Sequence, residues 1–335
     1  ALPKAVPLTH QGLIDYMWEI GERAHLKSDD RLWLAVSLFW SFASVNALFA
    51  LLTHRGTIIL QHHFVADEAL DLIAGERCTV MYGTPNIVQA LLDEQSREPR
   101  DIGSLRTGLT LGTPAQVARA ESLGIPEICN VYGLTEAYGN TTVTDSRLPL
   151  VQRVETVGQV LPGQEIRIVD PESHEALTTG ATGEIQIRGN VTPGYWQAPA
   201  QNAEAFTSDG WFRTGDLGYV DDEGFLYFRG RLKEMIKSGG INVSPAEVEL
   251  VLGQHPAVEL AFVTGIPDAA LDERVAAVIV LKEGQPTDAE SLATHCRQSL
   301  ASYKTPRDFA FVEQDDLPLT TTGKLQRKRL AELFH

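Results

Sequence analysis

The sequence contains little cysteine and no spacing that is typical of a metal site. Three cysteines occur in 335 residues, and Cys78, Cys129 and Cys296 form no C-x-x-C pair. Cysteines this far apart argue against a disulfide scaffold and a cysteine-based zinc site, and they fit a reducing cytoplasm. The nine histidines show no H-E-x-x-H spacing, so we expect them to be scattered core or solvated side chains.

Basic charge is also scarce. There are 28 Lys+Arg against 44 Asp+Glu, and 28 − 44 gives a formal net charge of −16. Since nucleic-acid binding needs clustered lysine and arginine, this charge argues against a nucleic-acid partner, although a local basic pocket for a small anion is still allowed. A composition that is 43% hydrophobic and 21% charged excludes a disordered or fibrous chain, and the length predicts about two domains.

One long uncharged run raises the question of a membrane segment. Residues 32–53 carry no charge over 22 positions, which is long enough to span a bilayer. Serines and Asn46 interrupt the run, and it leads into a strand-like TIIL at 57–60. We therefore predict a buried strand followed by a core-facing helix, and no integral membrane segment.

The sequence pattern changes twice along the chain. Over residues 1–150 short apolar runs alternate with helical stretches, which is typical of an α/β fold with a parallel or mixed sheet. Residues 151–230 contain short alternating runs, such as GEIQIRG at 183–189, between turn dipeptides, and they predict a β-rich, barrel-like subdomain. Residues 231–335 predict a small α+β domain whose two helices begin at capping boxes, at 244–247 and 287–290. Each helix has a predicted apolar stripe: Val248, Val251 and Leu252 in the first, and Leu292, Cys296 and Leu300 in the second.

Two clusters of polar residues lie in the first 220 residues. In NVYGLTE (130–136) a Gly, a Thr hydroxyl and a carboxylate follow a strand end, where ligands bind in α/β sheets. A carboxylate there could hold Mg²⁺, which takes one or two carboxylates together with phosphate oxygens. In WFRTGD (211–216) the carboxylate of Asp216 suits a pair of ribose hydroxyls because it only accepts hydrogen bonds. Taken alone, each cluster fits an ordinary turn better than a binding site.

Two further clusters lie in the last hundred residues. In residues 230–245 alternating charged and apolar residues meet a Gly-Gly pair, which predicts either a backbone surface for a narrow ligand or an exposed hairpin or linker. Lys324 ends the Thr/Gly run of residues 318–324, where its point charge suits a phosphate. The basic residues 327–329 that follow are expected to be solvated.

In this order and spacing, the clusters resemble the acyl-adenylate-forming superfamily, which includes acyl-CoA synthetases, nonribosomal-peptide adenylation domains and luciferase-type enzymes. The matching motifs are YGLTE (132–136), GYW (194–196), TGD (214–216), GRLKEMIKSGGINVSPAEVE (230–249), YKTP (303–306) and TTGK (321–324). The resemblance covers essentially the whole chain, and the match at 230–249 is highly specific. It implies an α/β part and a β-rich subdomain in an incomplete large domain, followed by a mobile small α+β C-terminal domain.

The resemblance also implies an activity. An AMP-forming acid–thiol ligase would use ATP, Mg²⁺ and a small carboxylic acid, and it would pass the acyl group to coenzyme A. The alternatives are an acyl-AMP ligase that loads the phosphopantetheine of an acyl carrier protein, and a non-catalytic subunit that binds acyl-adenylate. Nothing in the sequence chooses the acid. Trp40 falls where an aromatic residue or His gates the family's acyl pocket, with Phe39, Phe42 and Asn46 nearby. A pocket with these walls suits a bulky apolar or cyclic acid better than acetate, but core packing is the favoured role for most of these side chains.

Each site residue has a role that the resemblance implies. The implied catalytic residues are Lys324, Thr135, Glu136 and Lys237, with Glu136 also the Mg²⁺ ligand. The implied nucleotide-binding residues are Lys4, Gly112, Thr113, Pro114, Asn130, Val131, Tyr132, Gly133, Leu134, Asp216 and Arg231. The implied hinge is Lys233, the implied thiol tunnel is Gly239 and Gly240, and the implied acyl pocket is Trp40, Asn46 and Gly108.

Two stretches depart from the family pattern. Residues 1–4 look like the tail of the family's phosphate loop, with Lys4 as its lysine, so the resemblance implies the C-terminal portion of a longer polypeptide. The favoured hypothesis is a protein nicked within that exposed loop, with the N-terminal fragment of the same protein as partner. At residues 111–114 the sequence LGTP replaces the family's usual Gly-Gly-Ala-Pro adenine loop.

Overall fold

The computed structural model describes residues 4–319 and 325–334. The chain forms two compact units: Ala1–Thr214 with Gly218–Phe228, and Gly215–Leu217 with Arg229–His335. Each unit has a hydrophobic core of its own. The predicted division into three parts, at 150/151 and 230/231, stays a prediction.

The first unit contains seven helices and most of the strands among the described residues. Its helices are α1 (His10–Arg23), α2 (Leu48–Thr53), α3 (Ala66–Gly75), α4 (Pro85–Arg97), α5 (Pro114–Ser122), α6 (Leu150–Glu155) and α7 (Pro199–Ala205). The strands up to residue 231 are β1 (Arg31–Leu34), β2 (Thr57–Leu60), β3 (Val80–Tyr82), β4 (Thr107–Thr110), β5 (Glu127–Tyr132), β6 (Thr142–Val143), β7 (Gln159–Val160), β8 (Gln164–Val169), β9 (Gly183–Gly189), β10 (Phe212–Val220) and β11 (Leu226–Arg231).

The central sheet confirms the predicted α/β fold. Its strand order is β2-β1-β3-β4-β5-β6-β7, with β1 to β5 parallel and the last two strands antiparallel. Leu32 and Leu34 of β1 face a core lined by α1 and α2, whereas Trp33 faces a second core lined by α3, α4 and α5. Helices therefore cover both faces, as a parallel sheet requires.

The uncharged run of residues 32–53 folds as predicted. It comprises most of β1, a π-helical turn over Phe42–Ala47, and α2. Ala43, Asn46, Ala47, Ala50 and Leu51 are buried in this stretch, which explains its lack of charge. Across residues 4–319 and 325–334, no helix is both long enough and apolar enough to cross a membrane.

The β-rich region forms a separate four-stranded sheet. Its order is β11-β10-β9-β8, and β8 and β9 pair antiparallel from Gln164↔Gly189 to Val169↔Glu184. The bounds of β9 are those predicted from its alternating pattern. Ile185, Ile187, Phe212 and Leu226 share the core of this region.

The second unit is a small α+β fold. Its elements are β12 (Ile236–Ser238), β13 (Ile241–Val243), α8 (Pro245–Leu252), β14 (Val258–Asp268), β15 (Asp272–Leu281), α9 (Ala289–Ser299) and β16 (Asp308–Phe311). The sheet order is β13-β12-β15-β14, and β16 pairs parallel to β15. The apolar stripes predicted for the two helices are buried together: Val248, Val251, Leu252, Leu292, Cys296 and Leu300.

Both predicted capping boxes of this unit are wrong. Ser244 precedes α8, but its hydroxyl caps no N–H of that helix and instead donates to the Arg229 carbonyl oxygen at 2.5 Å. Helix α9 begins one residue later than predicted, because Asp288 rather than Thr287 is the N-cap and accepts from the Ser291 N–H. An ionised side chain is at least as good a cap as a hydroxyl, so the local register favours Asp288.

Close packing of strands explains Gly108, which the resemblance assigns to the acyl pocket. The residue is buried in β4 and pairs with Met81 of β3. A Cβ atom at Gly108 would lie 1.8 Å from the Met81 carbonyl oxygen. A side chain here would therefore push two paired strands apart.

We predict that Gly108→Ala lowers the free energy of unfolding of the first unit by about 2–3 kcal/mol, because two paired strands must shift to admit the methyl group. Urea unfolding followed by fluorescence measures this change. The matched control is Gly75→Ala at the end of α3, where a Cβ meets nothing within 4 Å and the change is expected to stay within about 0.5 kcal/mol. Equal midpoints for the two variants would contradict the packing argument.

Candidate functional site

Three side chains of the first unit are connected by hydrogen bonds: those of two predicted site residues, Lys4 and Glu136, and that of Tyr195 from the GYW motif. The Lys4 Nζ donates to the Tyr195 hydroxyl at 3.0 Å, and that hydroxyl donates to Oε1 of Glu136 at 2.6 Å. Glu136 lies in a 3₁₀ turn, Thr135–Ala137, that follows the carboxyl end of β5. The structure thus joins the predicted phosphate-binding lysine to the predicted metal-binding carboxylate through a residue that had no predicted role.

Backbone bonds hold the three segments of this cluster together. The Trp196 N–H donates to the Ala5 carbonyl oxygen at 2.9 Å, and the Thr192 N–H donates to that of Glu136 at 2.7 Å. The Thr192 hydroxyl donates to the Pro7 carbonyl oxygen at 2.8 Å. The position of Tyr195 is therefore fixed by main-chain contacts on both sides.

Tyr195 is held as a neutral donor. Its side chain is 5% exposed, and burial, the hydrogen bond to Glu136 and the charge of that carboxylate all raise the pKa of Tyr195. Because its pKa is raised, the hydroxyl keeps its proton at neutral pH, so it donates to Glu136 and accepts from Lys4. Lys4 itself is exposed, with its ammonium 4.2 Å from the centroid of the Tyr195 ring.

The donor set around Glu136 fits Mg²⁺ bound together with phosphate. Within the described parts of the chain, no group of three or more His, Cys, Asp or Glu side chains could hold a metal. Glu136 is half-buried, and its Oε1 accepts the hydrogen bond from the Tyr195 hydroxyl. A single carboxylate with phosphate oxygens and water is a set that Mg²⁺ accepts, whereas a resident metal would need more protein ligands.

The first residues of the predicted nucleotide motif are structural. Asn130 is buried, its Nδ2 donates to the Thr156 carbonyl oxygen, and its Oδ1 accepts from the Val131 N–H, both at 2.9 Å. Val131 is buried in the core with α1. These contacts fix the end of β5, and the two side chains point to the protein rather than to a ligand.

The next residues pack closely at the end of the strand. Tyr132 is 7% exposed, and its ring stacks on Phe228 with centroids 5.6 Å apart. An adenine stacked on Tyr132 would therefore meet only a small exposed part of the ring. A Cβ at Gly133 would lie 2.2 Å from the Gly139 carbonyl oxygen, so the residue allows the chain to turn there, and Leu134 is half-buried.

The predicted adenine loop is shaped by a helix cap. Thr113 caps α5 in a capping box with Gln116: the Thr113 hydroxyl accepts the Gln116 N–H, and the Gln116 side chain accepts the Thr113 N–H. Pro114 is the first residue of the helix and Gly112 is exposed in front of it. The loop therefore has a fixed backbone at the carboxyl end of β4, beside the end of β5.

The two predicted ribose ligands lie together in the second unit. Arg231 Nε is 3.2 Å from Oδ1 of Asp216, and Asp216 is 5% exposed while Arg231 is exposed. The arginine holds the carboxylate in one orientation, and its own guanidinium extends into solvent. Such a pair is suited to a sugar with adjacent hydroxyls, because the carboxylate accepts and the guanidinium donates.

The predicted hinge and thiol-tunnel residues form a turn and a hairpin. Lys233 is exposed in a 3₁₀ turn, Leu232–Glu234, and Lys237 is exposed in β12. Gly239 and Gly240, at φ 61° and 79°, form the two-residue turn between β12 and β13. Two positive φ values are what a type I′ hairpin needs, so this segment is an exposed hairpin, and the role of its glycines toward a ligand stays a prediction.

Lys324 lies outside the described residues, but the residues on either side of it lie close together. Leu319 and Leu325 form an antiparallel bridge. The Gln326 N–H donates to the Pro318 carbonyl oxygen at 2.8 Å. The backbone just before residue 320 is therefore hydrogen-bonded to the backbone just after residue 324.

Arg327, which was expected to be solvated, is instead bound by two carboxylates. It donates to both oxygens of Glu249, at 2.6 and 3.0 Å, and lies 3.4 Å from Glu234. Burial opposes its charge, yet these carboxylates raise the pKa of Arg327 overall. The prediction was wrong for this residue, whereas Lys328 and Arg329 are exposed as expected.

The predicted acyl-pocket residues are partly apolar and partly polar. Trp40 is half-buried and its ring tilts against Phe39, which is 71% exposed. Asn46 is buried in the π-helical turn and its Nδ2 donates to Oδ1 of Asn140 at 3.2 Å. The other amide atoms of this pair, Oδ1 of Asn46 and Nδ2 of Asn140, have no hydrogen-bond partner among the described residues.

Comparisons with known proteins show the family to which the chain is related. The sequence profile described as AMP-binding enzyme matches residues 1–196, and that of the AMP-binding enzyme C-terminal domain matches residues 247–324. YngI of Bacillus subtilis (strain 168) is 36% identical in an alignment of 335 positions that covers 98% of this chain and 61% of that protein. The medium-chain acyl-CoA ligase ACSF2 of Mus musculus is 35% identical in an alignment of 343 positions that covers 98% of this chain and 55% of that protein.

A solved structure shares the fold. ATP-bound MatB from Rhodopseudomonas palustris superposes with a TM-score of 0.88 at 31% identity, over 98% of this chain and 65% of that one. An α/β sheet with a separate small α+β unit, carrying these motifs, defines a class of adenylate-forming enzymes. This chain belongs to the AMP-binding enzyme family, and it spans 55–61% of the length of the two relatives above.

We predict that Asp216→Ala, made in the complete protein, weakens AMP binding about tenfold, the size expected for losing a charge-assisted hydrogen bond to ribose. Isothermal titration calorimetry measures the AMP dissociation constant directly. Asp222→Ala is the matched control, because Asp222 is exposed in the turn between β10 and β11. Unchanged AMP affinity in the Asp216 variant would count against the ribose role.

Proposed function

We propose that the protein containing this chain is an AMP-forming acid–thiol ligase, which activates a carboxylic acid with ATP and transfers the acyl group to coenzyme A. The observation that carries the proposal is the connection of Glu136 to Lys4 through Tyr195. A carboxylate and an ammonium at the carboxyl end of a parallel strand suit a magnesium nucleotide, because the metal takes the carboxylate and the phosphate takes the cation.

In the first half-reaction, a carboxylate oxygen of the acid attacks the α-phosphorus of ATP, acyl-AMP forms and pyrophosphate leaves. Two anions must approach each other, so catalysis depends on positive charge and alignment. Lys324 would contact the α-phosphate and the carboxylate, and the Thr135 hydroxyl would donate to the α-phosphate. Glu136 would hold Mg²⁺, which when bound neutralises phosphate charge.

The nucleotide would be held by the remaining predicted residues. Asp216 and Arg231 would bind the ribose hydroxyls, and Lys4 would bind phosphate. The exposed backbone of the 112–114 loop and the edge of the Tyr132 ring would contact adenine.

In the second half-reaction, the thiol sulfur attacks the acyl carbonyl of acyl-AMP and AMP leaves. Thiol attack needs room for pantetheine, so the small unit would turn about Lys233 between the two steps. Lys237 and the Gly239-Gly240 turn would then approach the thiol. A hairpin turn without side chains suits the passage of a narrow chain.

The acid is proposed to be bulky and apolar, of medium chain length or cyclic. Trp40 and Phe39 support this choice, as does the name of ACSF2, a medium-chain acyl-CoA ligase. An N-terminal portion of the same protein would supply the remainder of the large domain.

Pyrophosphate exchange tests this function on the complete protein. With Mg²⁺ and ATP, we expect carboxylate-dependent exchange that is strongest for medium-chain or cyclic acids and weak for acetate, followed by thioester formation with coenzyme A. Thioester formation only with a holo carrier protein would favour the carrier-loading alternative. Binding of acyl-AMP without any exchange would contradict the ligase and favour a binding subunit.

We predict that Lys324→Ala abolishes acyl-AMP formation but spares thioester formation from supplied acyl-AMP, because the lysine is needed only where two anions meet. Single-turnover assays of the separate half-reactions measure both rates. Lys328→Ala, which removes an exposed lysine four residues away, serves as control and should leave both rates unchanged. Equal loss of both half-reactions in the Lys324 variant would refute this division of labour.

A further inference from the structure

Tyr195 is the one member of the Lys4–Tyr195–Glu136 chain to which the reaction above gives no task. It donates at 2.6 Å to Glu136 and accepts at 3.0 Å from Lys4, so it contacts both the proposed metal ligand and the proposed phosphate ligand. A buried hydroxyl that bonds to both groups helps to determine where the carboxylate and the ammonium lie. Tyr195 therefore affects the positions of two charged groups, which an ordinary core tyrosine does not.

The two bonds differ in strength. The acceptor in one bond is a half-buried carboxylate and the donor is a tyrosine that is 5% exposed, so that charge-assisted bond lies away from water. The other bond comes from an exposed ammonium, where water competes and the net gain is small. A phosphate oxygen can therefore draw Lys4 away while Glu136 stays in place.

We propose that Tyr195 is a positioning residue for the magnesium nucleotide. Its hydroxyl binds Oε1 of Glu136 and so leaves the other carboxylate oxygen for the metal. The same hydroxyl keeps the Lys4 ammonium beside the site until a phosphate oxygen takes its place as the acceptor for Lys4. This inference rests on the proposed function. It concerns how the site is prepared before the nucleotide arrives, because both contacts exist within the protein alone.

The backbone around Tyr195 is suited to this task. Main-chain bonds from Trp196 to Ala5 and from Thr192 to Glu136 hold the segment on both sides of the ring. The ring itself packs edge-on against Phe212, with centroids 6.4 Å apart. Tyr195→Phe keeps these contacts and removes only the hydroxyl, so folding and packing are preserved.

The test measures metal binding rather than turnover. In the complete protein, Mn²⁺ replaces Mg²⁺ and is titrated by electron paramagnetic resonance in the presence of the unreactive analogue α,β-methylene-ATP. We expect Tyr195→Phe to weaken Mn²⁺ binding about tenfold, the usual effect of losing a hydrogen bond to a charged group. Metal-free AMP binding should stay within about twofold of wild type, since ribose binding by Asp216 needs no Tyr195.

Two controls make the result specific. Tyr227→Phe removes a hydroxyl from a ring stacked on Tyr219 outside this cluster, and it should leave Mn²⁺ affinity unchanged. Lys4→Met should weaken binding of the nucleotide analogue. The loss of analogue affinity in the double variant with Tyr195→Phe should exceed the product of the two single losses, because each single variant already removes the Lys4–Tyr195 bond that nucleotide binding must break.

Unchanged Mn²⁺ affinity in Tyr195→Phe would overturn the inference, and tighter binding would also overturn it, because the hydroxyl would then compete with the metal for Glu136. Full multiplicativity of the Lys4 and Tyr195 effects would contradict the shared connection. These outcomes are distinct from failure of the proposed function, which would be seen as absent pyrophosphate exchange in the wild-type protein while the binding measurements remain interpretable.

Discussion

A neutral hydroxyl between an ammonium and a carboxylate is the contact on which the account of this site depends. Lys4, Tyr195 and Glu136 come from three segments that are far apart in the sequence, and the two hydrogen bonds bring together charges of opposite sign without neutralising either. An ion pair made directly would have satisfied both groups. The intervening hydroxyl leaves each able to accept a ligand of opposite charge.

The sheet explains why the contact forms where it does. Parallel strands end at one edge, and the turn that carries Glu136 follows β5 directly. The segment around Thr192 and Trp196 then bonds by its backbone to Glu136 and to residues beside Lys4. Main-chain hydrogen bonds therefore hold the site in place, while side chains would contact the ligand.

Much of the fold could be predicted from the sequence, because the signals were local. The period-two alternation of β9 gave its bounds, and the apolar stripes of α8 and α9 identified buried faces. Three features could not be found this way. Ser244 gives its hydroxyl to Arg229, fifteen residues earlier, in place of the helix cap that its neighbours suggest.

The other two features that could not be found from local signals both involve partners distant in sequence. Arg327 sits in a basic run that indicates a solvated tail, yet Glu249 lies 78 residues away and binds it. Tyr195 belongs to a recognised motif, but its partners are 59 and 191 residues away, so the motif gave no role. The T-x-x-Q pattern at Thr113 was a local signal for the cap of α5 that could have been used.

The central claim is that Tyr195 holds Glu136 ready for a metal-bound nucleotide. A crystal structure of the complete protein with Mn²⁺ and an unreactive ATP analogue, using anomalous scattering to locate the metal, tests this most directly. The account predicts a metal peak at the Glu136 oxygen that Tyr195 does not contact, with the tyrosine still hydrogen-bonded to Oε1 and Lys4 on phosphate. A metal bound away from Glu136, or a Tyr195 hydroxyl displaced from it, would contradict the account.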